Sequence, residues 1–350
     1  MYIQQERICR KIRKRHALRL VRIILVWLSI EDKKMEGLFK TTQAYRLIEE
    51  ECVRGYCSHA YLLLCDDGKN LRKILKIFAK LFFTEGDKER IGKLIDAENF
   101  ADCLFYPREN KKLTVEDAES IREESMLSPV EGRRKLFVLS DFAEANSQTQ
   151  NKLLKLLEEP PEGVHFLLGA TSAFPVLPTV RSRTKKVEIL PFQVEETVAC
   201  MRRMYQDRYD TDTLTLCSAA SGGVLGEAQS MLEGGYYRTL LGQAFGLVLA
   251  EAHHVPQAVQ AVGETKRKKE LLALLRIIFR DATLLKMGGG YAKKVFLSAE
   301  KDRLIDVASK YTKSQLLYAQ EVISDAEQEI QFNAIFGQCL EVCLAKINKK

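Results

Sequence analysis

The pair Gly68-Lys69, which closes the apolar run of "YLLLCDDGKNLRKILK" (Tyr61–Lys76), has the spelling of a phosphate-binding turn. In a G-x-x-x-x-G-K-S/T loop, bare backbone N–H groups cradle phosphates, the lysine reaches the outer phosphates and the hydroxyl holds Mg²⁺. With Gly68-Lys69 set on its G-K, the first glycine falls at Leu63 and the hydroxyl at Asn70, so both of those positions lack the needed group. Cys57, His59 and Cys65 raise a second possibility, metal ligation. A four-ligand zinc site needs a further pair that the chain does not supply, so these read as structural side chains. The nine cysteines include no C-x-x-C pair, and reduced thiols of a cytoplasmic protein are the expectation.

The elements that would position such residues are legible as alternating helices and strands from about Leu38 to Leu190. "TQAYRLIEEECVRG" is an amphipathic helix, and "HAYLLLC", "KLFVLS", "VHFLLGAT" and "KKVEIL" are strands. "LRKILKIFAKLFF" places Ile74, Leu75, Phe78 and Leu81 on one helical face. Thr114 opens a helix with an acidic first turn that should end near Pro129, and Pro160-Pro161 stops the helix of "NSQTQNKLLKLLEE". Strands alternating with helices imply a parallel sheet with right-handed crossovers. After Leu190-Pro191-Phe192 only helical patterns follow, with a Gly222-Gly223 turn and breaks at Pro256 and Gly288-Gly289-Gly290. The expected class is α/β, then all-α.

The net charge of +7 resides wholly in residues 1–34, where ten Lys/Arg face three acidic side chains. The remaining 316 residues balance at 44 basic and 44 acidic, which argues against strong independent nucleic-acid binding by the body. The leader is too short in uninterrupted apolar residues to span a membrane and lacks a signal-peptide cleavage pattern. It reads as a disordered extension or as a start assigned upstream of Met35.

Three stretches carry a family resemblance. "VEGRRKLFVLSDFAEANSQTQNKLLKLLEEPPEGVHFLLGATSAFPVLPTVRSRTKKVEI" (Val130–Ile189), "SHAYLLL" (Ser58–Leu64) and "SGGVLGEAQSML" together resemble bacterial DNA polymerase III clamp-loader subunits of the delta prime type, members of the AAA+ family. The resemblance implies an AAA+-like domain over 35–190, a small helical lid over 191–235 and a helical collar over 236–350. It also implies a hetero-pentamer with gamma/tau and delta types of subunit, which loads a sliding clamp on primer-template DNA, with no membrane partner. In that family each ATP site is completed by an arginine from a neighbouring subunit.

Carried onto this chain through His59-Ala60-Tyr61-Leu62, the loop glycines become Cys65, Gly68 and Asn70. The essential lysine becomes Leu71 and the Mg²⁺ hydroxyl becomes Arg72. In this register Asp66-Asp67 should repel an anion at the helix N-terminus. The metal-binding strand end, where an Asp-Glu pair is needed, reads Ser140-Asp141. The lid offers Gly226-Glu227 in place of an arginine, and Thr171 stands at a phosphate-sensor position with a packing or strand role. Between loop and strand end only Cys103 remains of a four-cysteine zinc module, so no metal and no cofactor are expected. What the resemblance retains is Arg183, preceded by Ser182 and followed by Thr184 where the family has cysteine. A guanidinium there would stabilise charge on a phosphoryl group in another subunit. Without the resemblance, Arg183 is an ordinary surface arginine beside Lys185 and Lys186.

The expectation is therefore a non-catalytic delta prime-type subunit, one component of a DNA-directed DNA polymerase (nucleotidyltransferase) holoenzyme. Two alternatives stay open: an ATP-hydrolysing gamma/tau-type motor, and an AAA+-derived adaptor outside replication.

Overall fold

The computed structural model describes residues 33–349 except 109–111, 207 and 333. All but the last two residues of the basic extension, 1–34, lie outside the described residues. The chain divides into two compact units between Leu190 and Pro191.

In the first unit, strands β1 (Ala60–Cys65), β2 (Cys103–Tyr106), β3 (Lys135–Leu139), β4 (Val164–Ala170) and β5 (Lys185–Ile189) form one parallel sheet in the order β2-β3-β4-β1-β5. Central strands of such a sheet are covered on both faces, and β1, "AYLLLC", is buried at every residue. The edge strand β5 buries only Val187 and Ile189. Helices α1 (Gln43–Val53), α2 (Leu71–Ala79), α3 (Lys88–Asp96), α4 (Val115–Ser125), α5 (Ser147–Glu158) and the single turn α6 (Pro178–Arg181) belong to the same unit, as does a helical stretch at 33–39. Helix α2 lies close over β4: a Cβ at Gly169 would come within 2.6 Å of Leu75 Cδ1, so glycine is what permits the approach. On the same sheet Phe137 and Phe166 sit side by side in register and stack with centroids 5.4 Å apart.

The capping signals act as read. Thr114 Oγ1 accepts from the Asp117 amide at 3.1 Å while the Asp117 carboxylate accepts from the Thr114 amide at 2.9 Å. Helix α4 ends at Ser125, earlier than Pro129 implied, because Met126 and Leu127 are 67% and 59% exposed and offer no face to bury. Two elements escaped the periodicity. β2 is four residues long, and α3 buries only Ile91 and Ile95. The eight described cysteines are free thiols.

The second unit is helical: α7 (Val194–Tyr205), α8 (Thr211–Ala220), α9 (Leu225–Gly234), α10 (Tyr237–Leu249), α11 (Val255–Val262), α12 (Lys268–Met287), α13 (Lys301–Lys310), α14 (Lys313–Gln331) and α15 (Phe336–Lys349). Gly223, at φ +86°, is fixed by its surroundings, since a Cβ would fall 1.9 Å from the Phe192 carbonyl oxygen. The Phe192 amide in turn donates to the Gly223 carbonyl at 3.1 Å. No helix among the described residues is long and apolar enough to cross a membrane.

Candidate functional site

The turn between β1 and α2 is where a phosphate would meet a helix N-terminus, whose first N–H groups have no partner within the helix. Here the chain supplies its own anion. Asp67, 4% exposed, accepts from the Asn70 amide at 3.0 Å through Oδ1 and from Asn70 Nδ2 at 2.9 Å through Oδ2. The expected repulsion at Asp66-Asp67 is thus too simple: Asp67 folds inward and caps the turn. Leu71, at the lysine position, is fully buried as the first residue of α2. Cys65 ends β1 with its thiol pushed up to about 12 by burial and by the nearby Asp67 and Asp66 carboxylates. Gly68 has no left-handed backbone requirement; a Cβ there would approach Thr171 Cγ2 at 3.3 Å. Thr171 itself lies beyond the end of β4 and is exposed, which corrects the expectation of core packing or a strand hydrogen bond.

Arg72, at the Mg²⁺-hydroxyl position, reaches across to the end of β3. Its Nη1 donates to Ser140 Oγ at 3.0 Å and to the Pro107 carbonyl at 3.0 Å. Its Nε and Nη2 form a bidentate pair with Glu98 at 2.8 and 2.6 Å. Lys76 adds a second cation 2.9 Å from Glu98. Partial burial opposes ionisation of Glu98, but the hydrogen bonds from Arg72 and Lys76 outweigh it and hold its carboxyl below the ordinary range. Ser140 is buried and also donates to the Tyr106 carbonyl at 3.2 Å. Asp141 adopts a left-handed backbone (φ 52°, ψ 37°), which Asp tolerates, and is exposed at the start of a short 3₁₀ turn.

The two segments that resemble a nucleotide site are therefore brought together by a guanidinium–hydroxyl contact. ATP with Mg²⁺ does not fit this donor set. Mg²⁺ is held by carboxylate and phosphate oxygens, whereas the position facing Ser140 holds a fixed positive charge. In the second unit Glu227 is exposed in the first turn of α9, where the helix macrodipole favours a carboxylate whatever the ligand.

The Arg72 contacts also contribute to stability. Arg72→Ala is expected to destabilise the first unit by about 1–3 kcal/mol near neutral pH, since it leaves Glu98 to Lys76 alone and removes a donor from Ser140 and from the Pro107 carbonyl. Because the folded Glu98 carboxyl is held low, this contribution is complete above its ordinary pKa of about 4.3 and fades as pH falls through the lower folded value. The gap between the urea midpoints of wild type and variant should narrow in acid to the part due to Ser140 and Pro107; a constant gap would refute the assignment.

Arg183 shares no hydrogen-bond partner with this cluster. It follows α6, with its amide donating to the Val180 carbonyl at 3.0 Å. Nη1 donates to the Thr179 carbonyl at 3.1 Å and to Ser182 Oγ at 3.4 Å. Nε and Nη2 both lie 3.1 Å from Glu158 Oε2. Thr184 is buried and donates to the Val180 carbonyl at 3.1 Å, which gives the hydroxyl a structural use at the family's cysteine position. The partners Asp67, Glu98 and Glu158 were not foreseen, since only Asp67 is local to the residue it serves.

Among the described residues one group, Glu251, His253 and His254, has metal-ligand proximity. It is exposed, and two features oppose a cation there: the N-terminus of α11, and Lys310, whose ammonium donates to the Val248 and Ala250 carbonyls.

Residues 40–193 match the family described as "DNA polymerase III, delta subunit". A DNA polymerase III subunit gamma of Buchnera aphidicola is 26% identical over 53% of this chain and 53% of its own length. The subunit delta' of Bacillus subtilis is 26% identical over 47% of this chain and 52% of its own. A solved gamma-subunit-related protein of Thermotoga maritima covers 88% of this chain and 99% of its own at 18% identity, with a TM-score of 0.39. The chain spans about half the length of these two curated relatives.

Proposed function

We propose that this chain is a clamp-loader subunit, non-hydrolysing and of the delta prime type, with an AAA+-like first unit. It contributes Arg183 to the ATP site of a neighbouring gamma/tau-type subunit. The reading places it in a cytoplasmic hetero-pentamer that also holds a delta-type subunit and sets a sliding clamp on primer-template DNA. Its own second unit supplies the lid (191–235) and the collar (236–350).

The observation that carries the reading is the Asp67–Asn70 and Arg72–Ser140 pair of contacts. Where a motor needs phosphate and Mg²⁺, this chain offers a carboxylate to the helix N-terminus and a guanidinium to the strand end. The donor chemistry, by contrast, is intact: a permanently charged fork on a surface turn. Calorimetric titration of ATP with Mg²⁺ into the full chain tests it. No saturable binding is expected up to about millimolar nucleotide, and micromolar affinity would overturn it in favour of a gamma/tau-type motor, the reading that the match to a gamma subunit supports. Failure to assemble with other loader subunits would instead point to an adaptor outside replication.

A further inference from the structure

We propose that Glu158 is a latch for Arg183: a positioning residue that parks the guanidinium in the free subunit and yields it to a phosphate oxygen on assembly. The inference rests on the reading of Arg183 given above and adds a partner to it. An arginine carries five N–H donors. Here Nη1 is committed to the Thr179 carbonyl and Ser182 Oγ, both on the turn that carries Arg183. On the opposite edge Nε donates to one oxygen of Glu158, on a different element, and Nη2 lies 3.1 Å from that oxygen. The guanidinium is thus held on one side by its own turn and on the other by a removable acceptor.

Three observations make Glu158 the yielding side. The Arg183 and Glu158 side chains are 32% and 56% exposed, and an ion pair so open to water is weak. Nε donates to Oε2 and Nη2 only approaches that same oxygen at 3.1 Å, a poorer arrangement than the two-oxygen fork that a phosphate offers. Finally, Glu158 is the last residue of α5, the end of the helix where a carboxylate is disfavoured, and Pro160-Pro161 follow. Its charge does nothing for its own helix and is compensated by Arg183. A dianionic phosphate presented by a neighbour would displace it, with Nη1 still anchored to Thr179.

The test uses the reconstituted loader with wild type, Glu158→Gln, Arg183→Ala and the double variant. Glu158→Gln keeps shape and removes charge; it should raise kcat/KM for ATP about two- to fivefold, the size of an exposed pair, and should have no effect in the Arg183→Ala background. A fall in kcat/KM, or the same change in both backgrounds, overturns the latch. In the isolated full chain the Arg183 Nε proton resonance should shift on Glu158→Gln, and an unchanged resonance also overturns it. The two readings fail separately. If Arg183→Ala leaves turnover unchanged, the trans role of Arg183 falls; if only Arg183→Ala has an effect, the latch alone falls.

Discussion

Arg183→Ala is expected to lower DNA- and clamp-stimulated ATP turnover of the reconstituted loader by about a thousandfold at the site it completes, the low end for an arginine supplied in trans. That corresponds to about 4 kcal/mol of barrier. The effect should appear in kcat, because the guanidinium acts on charge that develops as the phosphoryl group transfers. The variant should fold normally: the contacts removed are a half-exposed ion pair and two hydrogen bonds within one turn, worth about 1 kcal/mol together. Activity and stability therefore separate cleanly, which distinguishes a chemical role from a structural one. Arg183→Lys should recover little, since an ammonium presents a point charge where a planar fork is needed. Turnover and clamp loading within twofold of wild type in Arg183→Ala would remove Arg183 from the mechanism.

The largest expected effect on folding lies elsewhere, at Asp102. This carboxylate is fully buried at the entry to β2. Its oxygens accept from the amides of Val130 at 2.6 Å, Glu131 at 2.8 Å and Gly132 at 3.1 Å, and its carbonyl accepts from the Leu136 amide at 2.8 Å. One side chain thereby ties the loop before β3 to the start of β2. Asp102→Ala leaves three amides without that acceptor and should cost about 2–4 kcal/mol, the lower part of the range reflecting water entering the partly exposed loop. Asp102→Asn retains one acceptor oxygen and should cost about half as much. Urea denaturation of the full chain, followed by a probe in the first unit, reads both. A midpoint for Asp102→Ala equal to wild type would show that the loop finds other partners.

The parts of this molecule that were legible in its sequence are those written in consecutive residues. Buried parallel strands are short apolar runs, so β1, β3 and β4 were visible, and β5 showed through its alternation; the four-residue β2 did not. The Thr114 capping box spans four residues and could be read; the Asp67–Asn70 contact spans four as well but has no such signature, because the inward turn of Asp67 depends on tertiary burial. The remaining contacts are long-range. Arg72 meets Glu98 across 26 residues and Ser140 across 68, and Arg183 meets Glu158 across 25. No periodicity encodes such pairs, since they exist only once the sheet has set the order of its strands. The positions Leu71, Arg72 and Ser140 could be recognised as departures from a pattern, but what fills the space they leave could not.

The Arg72–Ser140 contact also bears on how such a domain can change over generations. Restoring a lysine at Leu71 would put an ammonium into a fully buried position, with Asp67 still engaged by Asn70. Restoring a hydroxyl at Arg72 would leave Glu98 to Lys76 alone, and an aspartate at Ser140 would meet a guanidinium before any metal. Each step toward a motor passes through a less stable chain, so at least four positions must move together. The internal contacts act as a ratchet: with the carboxylate and the guanidinium in these places, no single substitution turns this corner of the fold into a phosphate site.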